Sequence, residues 1–200
     1  MAIEVDKART AVLVCHLQRD VIENEQTLGG IFGPEARSRK VVEQAGRLLD
    51  AARSSGMPRV LVRVAWRADR SNLLANLPLL RMSAGMGALI DGEPGAELVD
   101  ELPRADGDIV LTHHRTSPFS GSDLHTILQN AGVDTLVLSG VATNVAIQTT
   151  AFAAADLGYR VLLVADACSA ATPAAHDAAL ETLGLFTDIS SMDDVLDALR

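Results

Sequence analysis

The sequence predicts a three-layer α/β sandwich, doubly wound around a parallel sheet of about six strands. Short β-branched segments alternate along the chain with helical segments, as is typical of parallel sheets. The strand segments are nearly all apolar, which indicates that helices cover both faces of the sheet. Right-handed crossovers then give the doubly wound arrangement. We expect a single domain over residues 1–200.

Strands are expected where β-branched and other apolar residues cluster between polar turns. They are 10–17, 59–64, 108–114, 135–141, 160–167 and 186–190. Between them lie a glycine-rich loop (Gly29, Gly30, Gly33, Pro34) and a region at 66–106 that is less regular.

Helices are expected where apolar residues recur on one face and turn residues mark the ends. The first runs from Glu35 to about Ser55 and is ended by Gly56 and Pro58. A second begins at Ser122, which is a plausible N-cap. The remaining predicted helices are a short piece at 96–102 and longer ones at 144–158, 173–184 and 192–200.

Composition excludes several classes of function. A net charge of −9 and a pI of about 4.9 argue against a nucleic-acid partner. No apolar run approaches the roughly 20 residues of a membrane span, and no signal peptide is visible. Two cysteines are too few for a disulfide framework, so we expect a cytoplasmic protein. The absence of GxGxxG and Walker A motifs predicts no nucleotide cofactor.

Ligands of doubly wound folds lie beyond the carboxyl ends of the strands. That rule selects His16, the residues after Val64, the segment 113–119 and the segment 141–146. The last of these, VATNVA, is a strand-to-helix elbow, where α/β enzymes often carry a nucleophile. Here the elbow carries Ala146, which has no nucleophilic atom.

Four segments carry a resemblance to a known family. They are TAVLVCHLQRD at 10–20, the stretch from 91 to 124 that contains HHRTSPF, the stretch TLVLSGVATNVAIQTTAFAAADLGYRVLLVADACSA at 135–170, and the HDAAL helix at 176–180. In order and spacing the chain resembles the isochorismatase-like hydrolases, also called the cysteine hydrolase superfamily, over nearly its whole length. The resemblance implies their sandwich fold, a small-molecule substrate and a homo-oligomer of two or more subunits. The small residues of the 144–158 helix (Ala146, Ala151, Ala153–Ala155) would allow close contact between the subunits of such an oligomer.

All three catalytic positions of that family are replaced in this chain. Members carry an aspartate after the first strand, a lysine at the end of the third and a cysteine at the elbow. The corresponding residues here are His16, His113 and Ala146. The isochorismatases proper lack the cysteine but use the aspartate as an acid, so the chain departs from that branch too. The Asp/His metal site of the nicotinamidases has no counterpart in VAWRADRSN at 64–72.

His16 and His113 are the candidate catalytic residues. We expect their side chains to meet, because both replace residues that meet in the family and both end strands expected to be sheet neighbours. Two imidazoles at one pocket can form a general acid/base pair. Alternatively, the two histidines have no catalytic role and occupy an inactive site, or they share a metal with Asp20 or His114. Two imidazoles alone are too few for zinc, so we predict no metal.

The candidate substrate-binding residues are Trp66, Phe119, Ala142, Thr143 and Ala146. In the family the bond corresponding to Val141–Ala142 is often a non-proline cis peptide, and neighbouring amides hold an oxyanion. We expect the Ala142 and Ala146 amides to form such an anion-binding nest.

Several other candidates have structural interpretations that we favour. Met82 and Met86 are candidate pocket walls that more plausibly pack in the core or against a subunit. Cys15 and Cys168 are expected to be core thiols, and His125 and His176 to be structural. Ser117 is a remote candidate nucleophile.

The sequence therefore predicts a small-molecule hydrolase, or a lyase-like enzyme, that uses His16 and His113 instead of a cysteine mechanism. The alternative is an inactive family member that binds a metabolite or serves as a structural subunit. Retention of Phe119, Thr143 and the elbow glycine, Gly140, favours a working pocket.

Overall fold

The computed structural model describes residues 3–199 and contains one six-stranded parallel sheet. The strand order is β3-β2-β1-β4-β5-β6, which confirms the predicted fold. The strands are β1 Thr10–Cys15, β2 Arg59–Val64, β3 Ile109–His113, β4 Thr135–Val141, β5 Arg160–Ser169 and β6 Asp188–Ser190. Every residue of β1 and β4 is buried, as expected for central strands covered on both faces.

Two helical layers enclose the sheet, each with its own apolar core. The first layer contains α1 Arg19–Ile22, α2 Gly29–Ser38, α3 Val41–Ser54, α4 Pro78–Gly85 and α8 Met192–Ala198. The second contains α5 Leu124–Asn130, α6 Gln148–Asp156 and α7 Pro173–Leu183. Side chains alternate along β1, so Val12 and Val14 face the first core whereas Leu13 and Cys15 face the second.

The expected glycine-rich loop is helix α2, so that prediction was wrong. Its glycines allow the helix to lie against the backbone of residues 22–25. A Cβ on Gly29 would lie 2.6 Å from the Asn24 backbone nitrogen, and one on Gly30 would lie 2.5 Å from the Glu25 carbonyl oxygen. Close packing therefore overrides the low intrinsic helix propensity of glycine. The expected 35–55 helix is divided between α2 and α3, because Lys40 adopts a left-handed conformation with φ of 53°.

The short helix expected at 96–102 is also absent. The backbone instead runs alongside the segment that follows β1, where Leu98 pairs with Gln18 and the Val99 amide donates to the Leu17 carbonyl at 2.9 Å. A single 3₁₀ turn, Pro94–Ala96, precedes it. The apolar residues that suggested a helix are buried by this pairing.

The strand-to-helix elbow contains features that the sequence pattern does not show. The Val141–Ala142 peptide bond is cis, and a wide π-helical turn, Thr143–Ile147, leads into α6. The Ala142 carbonyl accepts from the amides of Val145 and Ile147 at 3.0 and 3.1 Å. The turn therefore fixes Ala142 and Ala146 at the sheet edge.

Candidate active site

The rings of His16 and His113 meet at the carboxyl edge of the sheet. Their Nε2 atoms are 2.7 Å apart, which is hydrogen-bonding distance. The rings are stacked with centroids 4.9 Å apart and planes 18° apart. His113 is fully buried and His16 is 6% exposed. The expected approach of the two side chains is present, whereas their catalytic role stays a prediction.

The strands that carry these rings are not neighbours, contrary to expectation, because β2 lies between β1 and β3. His113 ends β3 and pairs with Val64 at the end of β2. His16 follows β1 in a left-handed conformation with φ of 56°, and its amide donates to the Val62 carbonyl at 2.9 Å. This conformation is uncommon outside glycine. The rings therefore meet across the end of β2.

The short Nε2–Nε2 contact restricts the protons of the pair. One Nε2 must donate and the other must accept, because two bare nitrogens or two N–H groups would repel each other. In the neutral pair, the accepting ring then carries its proton on Nδ1. The His16 ring also forms a hydrogen bond with the Val141 backbone. The Nδ1 atom of His113 lies near the Ser117 backbone but has no well-directed hydrogen-bond partner among residues 3–199.

Both imidazoles are held neutral at physiological pH. Burial lowers the pKa of His16 from 6.5 to about 4, and a hydrogen bond with the Val141 backbone only partly opposes this shift. Burial also lowers the pKa of His113 well below its ordinary value, and the positive charges that His16 and His114 would carry add to the effect. The two rings titrate as a coupled pair.

These shifts predict that stability falls as the pH decreases from 6.5 towards 4. In that window the unfolded histidines bind protons and the folded pair does not, so acid favours unfolding. For a ring with the pKa of His16, the loss between pH 7 and pH 5 is about 2 kcal/mol. Urea unfolding at both pH values measures it, and we expect the His16→Gln/His113→Gln variant to show a smaller difference between the two pH values.

Some pH dependence should remain in that double variant, since burial also lowers the pKa of His176. An unchanged difference between pH 7 and pH 5 would contradict the assignment of depressed pKa values to the pair.

A small, mostly apolar cavity of about 50 Å³, partly open to solvent, adjoins His16. Its apolar walls come from the first helical layer, the segments after β2 and the elbow. The lining residues are His16, Val21, Leu28, Phe32, Val64, Trp66, Leu79, Leu80, Ser83, Leu89, Arg115, Thr116, Val141, Ala142, Val145 and Ala146. A concave apolar site with a few polar groups is the usual form of a small-molecule pocket.

The cavity includes three of the five predicted substrate-binding residues: Trp66, Ala142 and Ala146. Phe119 does not line it and packs against Tyr159 in the second core, with ring centroids 5.7 Å apart. Thr143 is fully buried behind the elbow. Whether the Ala142 and Ala146 amides hold an anion stays a prediction.

Thr143 belongs to a hydrogen-bonded chain that fixes the elbow from behind. The Arg39 guanidinium lies 3.0 Å from Nε2 of His176, and Nδ1 of His176 lies 2.8 Å from the Thr143 hydroxyl. Arginine can only donate, so Nε2 of His176 accepts and its Nδ1–H donates to Thr143. His176 is therefore structural, as expected, and its neighbour Arg39 holds it neutral together with burial.

Two polar residues stabilise the segments at the strand ends, a role that the sequence analysis assigned to neither. Gln18, fully buried, donates to the carbonyls of Val64 and Ala96 at 2.9 and 2.7 Å and accepts from the Val64 amide at 2.9 Å. Asp20 accepts from the amide of Leu89, a cavity residue, at 2.7 Å. A buried polar side chain needs such partners. The position of these polar residues directly after an apolar strand was the sequence signal that could have predicted their role.

The suggested metal ligands do not converge on the histidine pair. Asp20 is turned towards Asn24 and Leu89, while Nδ1 of His114 contacts the Ala65 carbonyl at 2.9 Å. Within residues 3–199, no group of three or more His, Cys, Asp or Glu side chains could hold a metal ion. No helix in the same range is long and apolar enough to cross a membrane.

Both cysteines are fully buried thiols. Burial raises the pKa of Cys15 far above its ordinary value and that of Cys168 to about 12. Neither lines the cavity. The nucleophilic thiolate is therefore strongly disfavoured at both positions.

Fold and site together place the chain among the doubly wound α/β proteins with a pocket at the carboxyl edge of the sheet. The chain belongs to the isochorismatase family of hydrolases, whose domain matches residues 10–194.

Relatives and solved structures agree with this assignment. The isochorismatase family protein YecD of Escherichia coli O157:H7 is 30% identical over 198 residues, which cover 98% of this chain and all of YecD. A probable inactive nicotinamidase of Arabidopsis thaliana is 35% identical over 178 residues, or 84% of this chain and 85% of its own length. The crystal structure of an isochorismatase family protein from Desulfovibrio vulgaris has a TM-score of 0.83 at 30% identity and covers 96% of this chain and 98% of its own.

Proposed function

We propose that this chain is a small-molecule hydrolase in which His16 and His113 transfer protons without a covalent thiol intermediate. The observation that carries the proposal is the 2.7 Å contact between the two Nε2 atoms beside the cavity. Neutral imidazole can accept a proton, and its protonated form can return it. A lyase-like reaction would use the same two proton transfers.

His16 is the ring that reaches the ligand, because it lines the cavity and His113 does not. In the reactive tautomer, His16 carries its proton on Nε2 and donates it to Nε2 of His113, which leaves Nδ1 of His16 bare. When a water is activated, its proton passes to that Nδ1 and the Nε2 proton moves to His113. His16 is then neutral again, His113 carries the positive charge, and the hydroxide attacks the substrate.

The elbow supplies the second part of the proposed mechanism. Ala142 and Ala146 line the cavity together with His16. Their amides would donate to the oxygen on which negative charge develops during attack. A base with a pKa near 4 is weak at neutral pH. The site therefore suits activated esters better than simple amides.

A specific observation supports the second candidate, a metabolite-binding protein without turnover. The two Nε2 atoms bind each other, and the His16 ring also forms a hydrogen bond with the Val141 backbone. In the other neutral tautomer, His16 has no bare nitrogen to offer a ligand. The similarity to a probable inactive nicotinamidase agrees with this alternative.

The test is a panel of small esters, enol ethers and amides, assayed for binding and for hydrolysis. The proposal expects hydrolysis that persists after iodoacetamide treatment, because both thiols are buried and strongly protonated. It also expects negligible hydrolysis of nicotinamide and isochorismate. Binding without any turnover would favour the metabolite-binding protein, whereas hydrolysis abolished by alkylation would overturn the non-thiol mechanism.

We also propose a cytoplasmic homo-oligomer with a small-molecule ligand and with neither nucleic acid nor membrane as a partner. The 144–158 helix was suggested for subunit contact, but three of its five small residues are not available for it. Ala146, Ala151 and Ala154 are buried within the chain's own core. The exposed apolar side chains Leu185 and Phe186, after α7, are better placed for subunit contact.

A further inference from the structure

We propose that Arg115 determines the ligand class of the cavity and selects compact, largely apolar molecules that carry a single negative charge. This inference rests on the cavity being the ligand site of the proposed function. Arg115 follows β3 by two residues and its side chain lines the cavity.

The Arg115 guanidinium is oriented by neutral groups only. One terminal nitrogen donates to the Leu74 carbonyl at 2.9 Å, and the other donates to the Asn76 side-chain oxygen at 2.9 Å. Arginine has five N–H donors, so these two bonds leave donors available for a ligand. Arg115 forms no ion pair with any residue from 3 to 199.

Three other half-buried guanidinium groups beside the sheet are matched by carboxylates. Arg53 and Arg59 both bind Asp108, at 2.6 and 2.5 Å, and Arg63 pairs with Asp91 and Glu97 at 2.7 and 2.8 Å. Arg39 has no carboxylate partner, but its donors are used by the carbonyls of Cys168 and Ala165 and by His176. Arg115 differs from these four because it lines the cavity, where an exogenous anion can complete the pair.

The rest of the lining decides the character of the anion. Twelve of the sixteen lining residues are apolar, and no carboxylate is among them. Both histidines of the pair are neutral at physiological pH, which leaves Arg115 as the single charge of the lining. A cationic ligand would meet an unpaired like charge. A dianion would bury one charge without a partner, which is costly, so a monoanion with an apolar body is the best match.

Matched pairs of probes test the inference without requiring turnover. Benzoate is compared with benzyl alcohol, and 3-methylbutanoate with 3-methylbutanol, by calorimetric titration of the purified chain. We expect each carboxylate to bind at least tenfold more tightly than its alcohol. Arg115→Gln should weaken carboxylate binding by about 10- to 100-fold, as expected for a charged hydrogen bond, and leave alcohol binding nearly unchanged.

Arg81→Gln is the matched control. Arg81 also braces the 74–77 loop, through the carbonyls of Ala75 and Asn76 at 3.3 and 3.0 Å, but it does not line the cavity. This variant removes the same charge and a similar brace, and it should keep the preference for carboxylates. Arg115→Lys retains the charge without the bidentate geometry and should lose only part of the preference.

Three outcomes would overturn the inference. They are carboxylates that bind no better than alcohols, an Arg115→Gln variant that keeps the preference, and an Arg81→Gln variant that loses it equally. The proposed function fails separately, because a chain that binds benzoate through Arg115 and hydrolyses nothing would remove the catalytic proposal alone.

Discussion

Replacing either histidine of the pair should slow hydrolysis of an identified substrate by about 10²- to 10⁴-fold, the usual contribution of general acid/base catalysis. His16→Ala removes the ring that lines the cavity. His113→Ala removes the partner that shares the transferred proton at 2.7 Å. Since the two rings act as one unit, the double variant should be about as slow as the slower single variant. Steady-state rates on the folded variants provide the measurement.

The two single variants should differ in a way that a merely structural role would not produce. The His113→Asn variant keeps His16 in the cavity but removes the imidazole that receives its Nε2 proton at 2.7 Å. Its kcat should therefore fall while its KM changes little, whereas His16→Ala alters the cavity lining and should change both. His125→Ala is the matched control, because His125 contacts Tyr159 at 2.9 Å and does not line the cavity. Unchanged turnover in the double variant would leave the metabolite-binding protein as the function.

Most of the fold could be predicted because the central strands are buried on both faces and are therefore mainly apolar. β2 and β4 agree with their predicted bounds, because polar turns flank each mainly apolar segment. The α2 helix could not be predicted, because its glycines are explained by contacts with the backbone of Asn24 and Glu25 rather than by local preference. The wide turn at Thr143–Ile147 likewise has no periodicity that distinguishes it from the α-helix that follows.

The sequence predicted which strand ends form the site, but it did not predict which side chains of the following segments face the cavity. The carboxyl-end rule and the family resemblance together selected His16 and His113, and the structure brings those rings together. The rule also covered the segment 113–119 but could not say which of its side chains face the cavity. Phe119 turns to the second core, whereas Arg115 and Thr116 line the cavity. Side-chain direction in an irregular segment depends on contacts distant in sequence, such as the bond from Arg115 to Leu74.

Substitution of Gly140 by alanine should destabilise the fold by at least about 3 kcal/mol, near the upper end of single-residue effects. Gly140 lies in β4 between Cys15 of β1 and Cys168 of β5, with φ of 122°. L-residues rarely adopt this φ, so the backbone is strained by any side chain. A Cβ at this position would also overlap the Cys15 backbone, which cannot move without disrupting the centre of the sheet.

Gly132→Ala separates these two effects. Gly132 has a positive φ of 70°, but a Cβ there would meet nothing within 4 Å. Its substitution should cost only the conformational strain, about 1 kcal/mol. Urea unfolding of both variants gives the comparison, and equal losses would show that the close approach of β4 to β1 is not a constraint. Because Gly140 directly precedes Val141 and Ala142 of the cavity wall, a surviving Gly140→Ala protein should also bind cavity ligands more weakly than Gly132→Ala, since its sheet can accept the Cβ only by displacing the elbow.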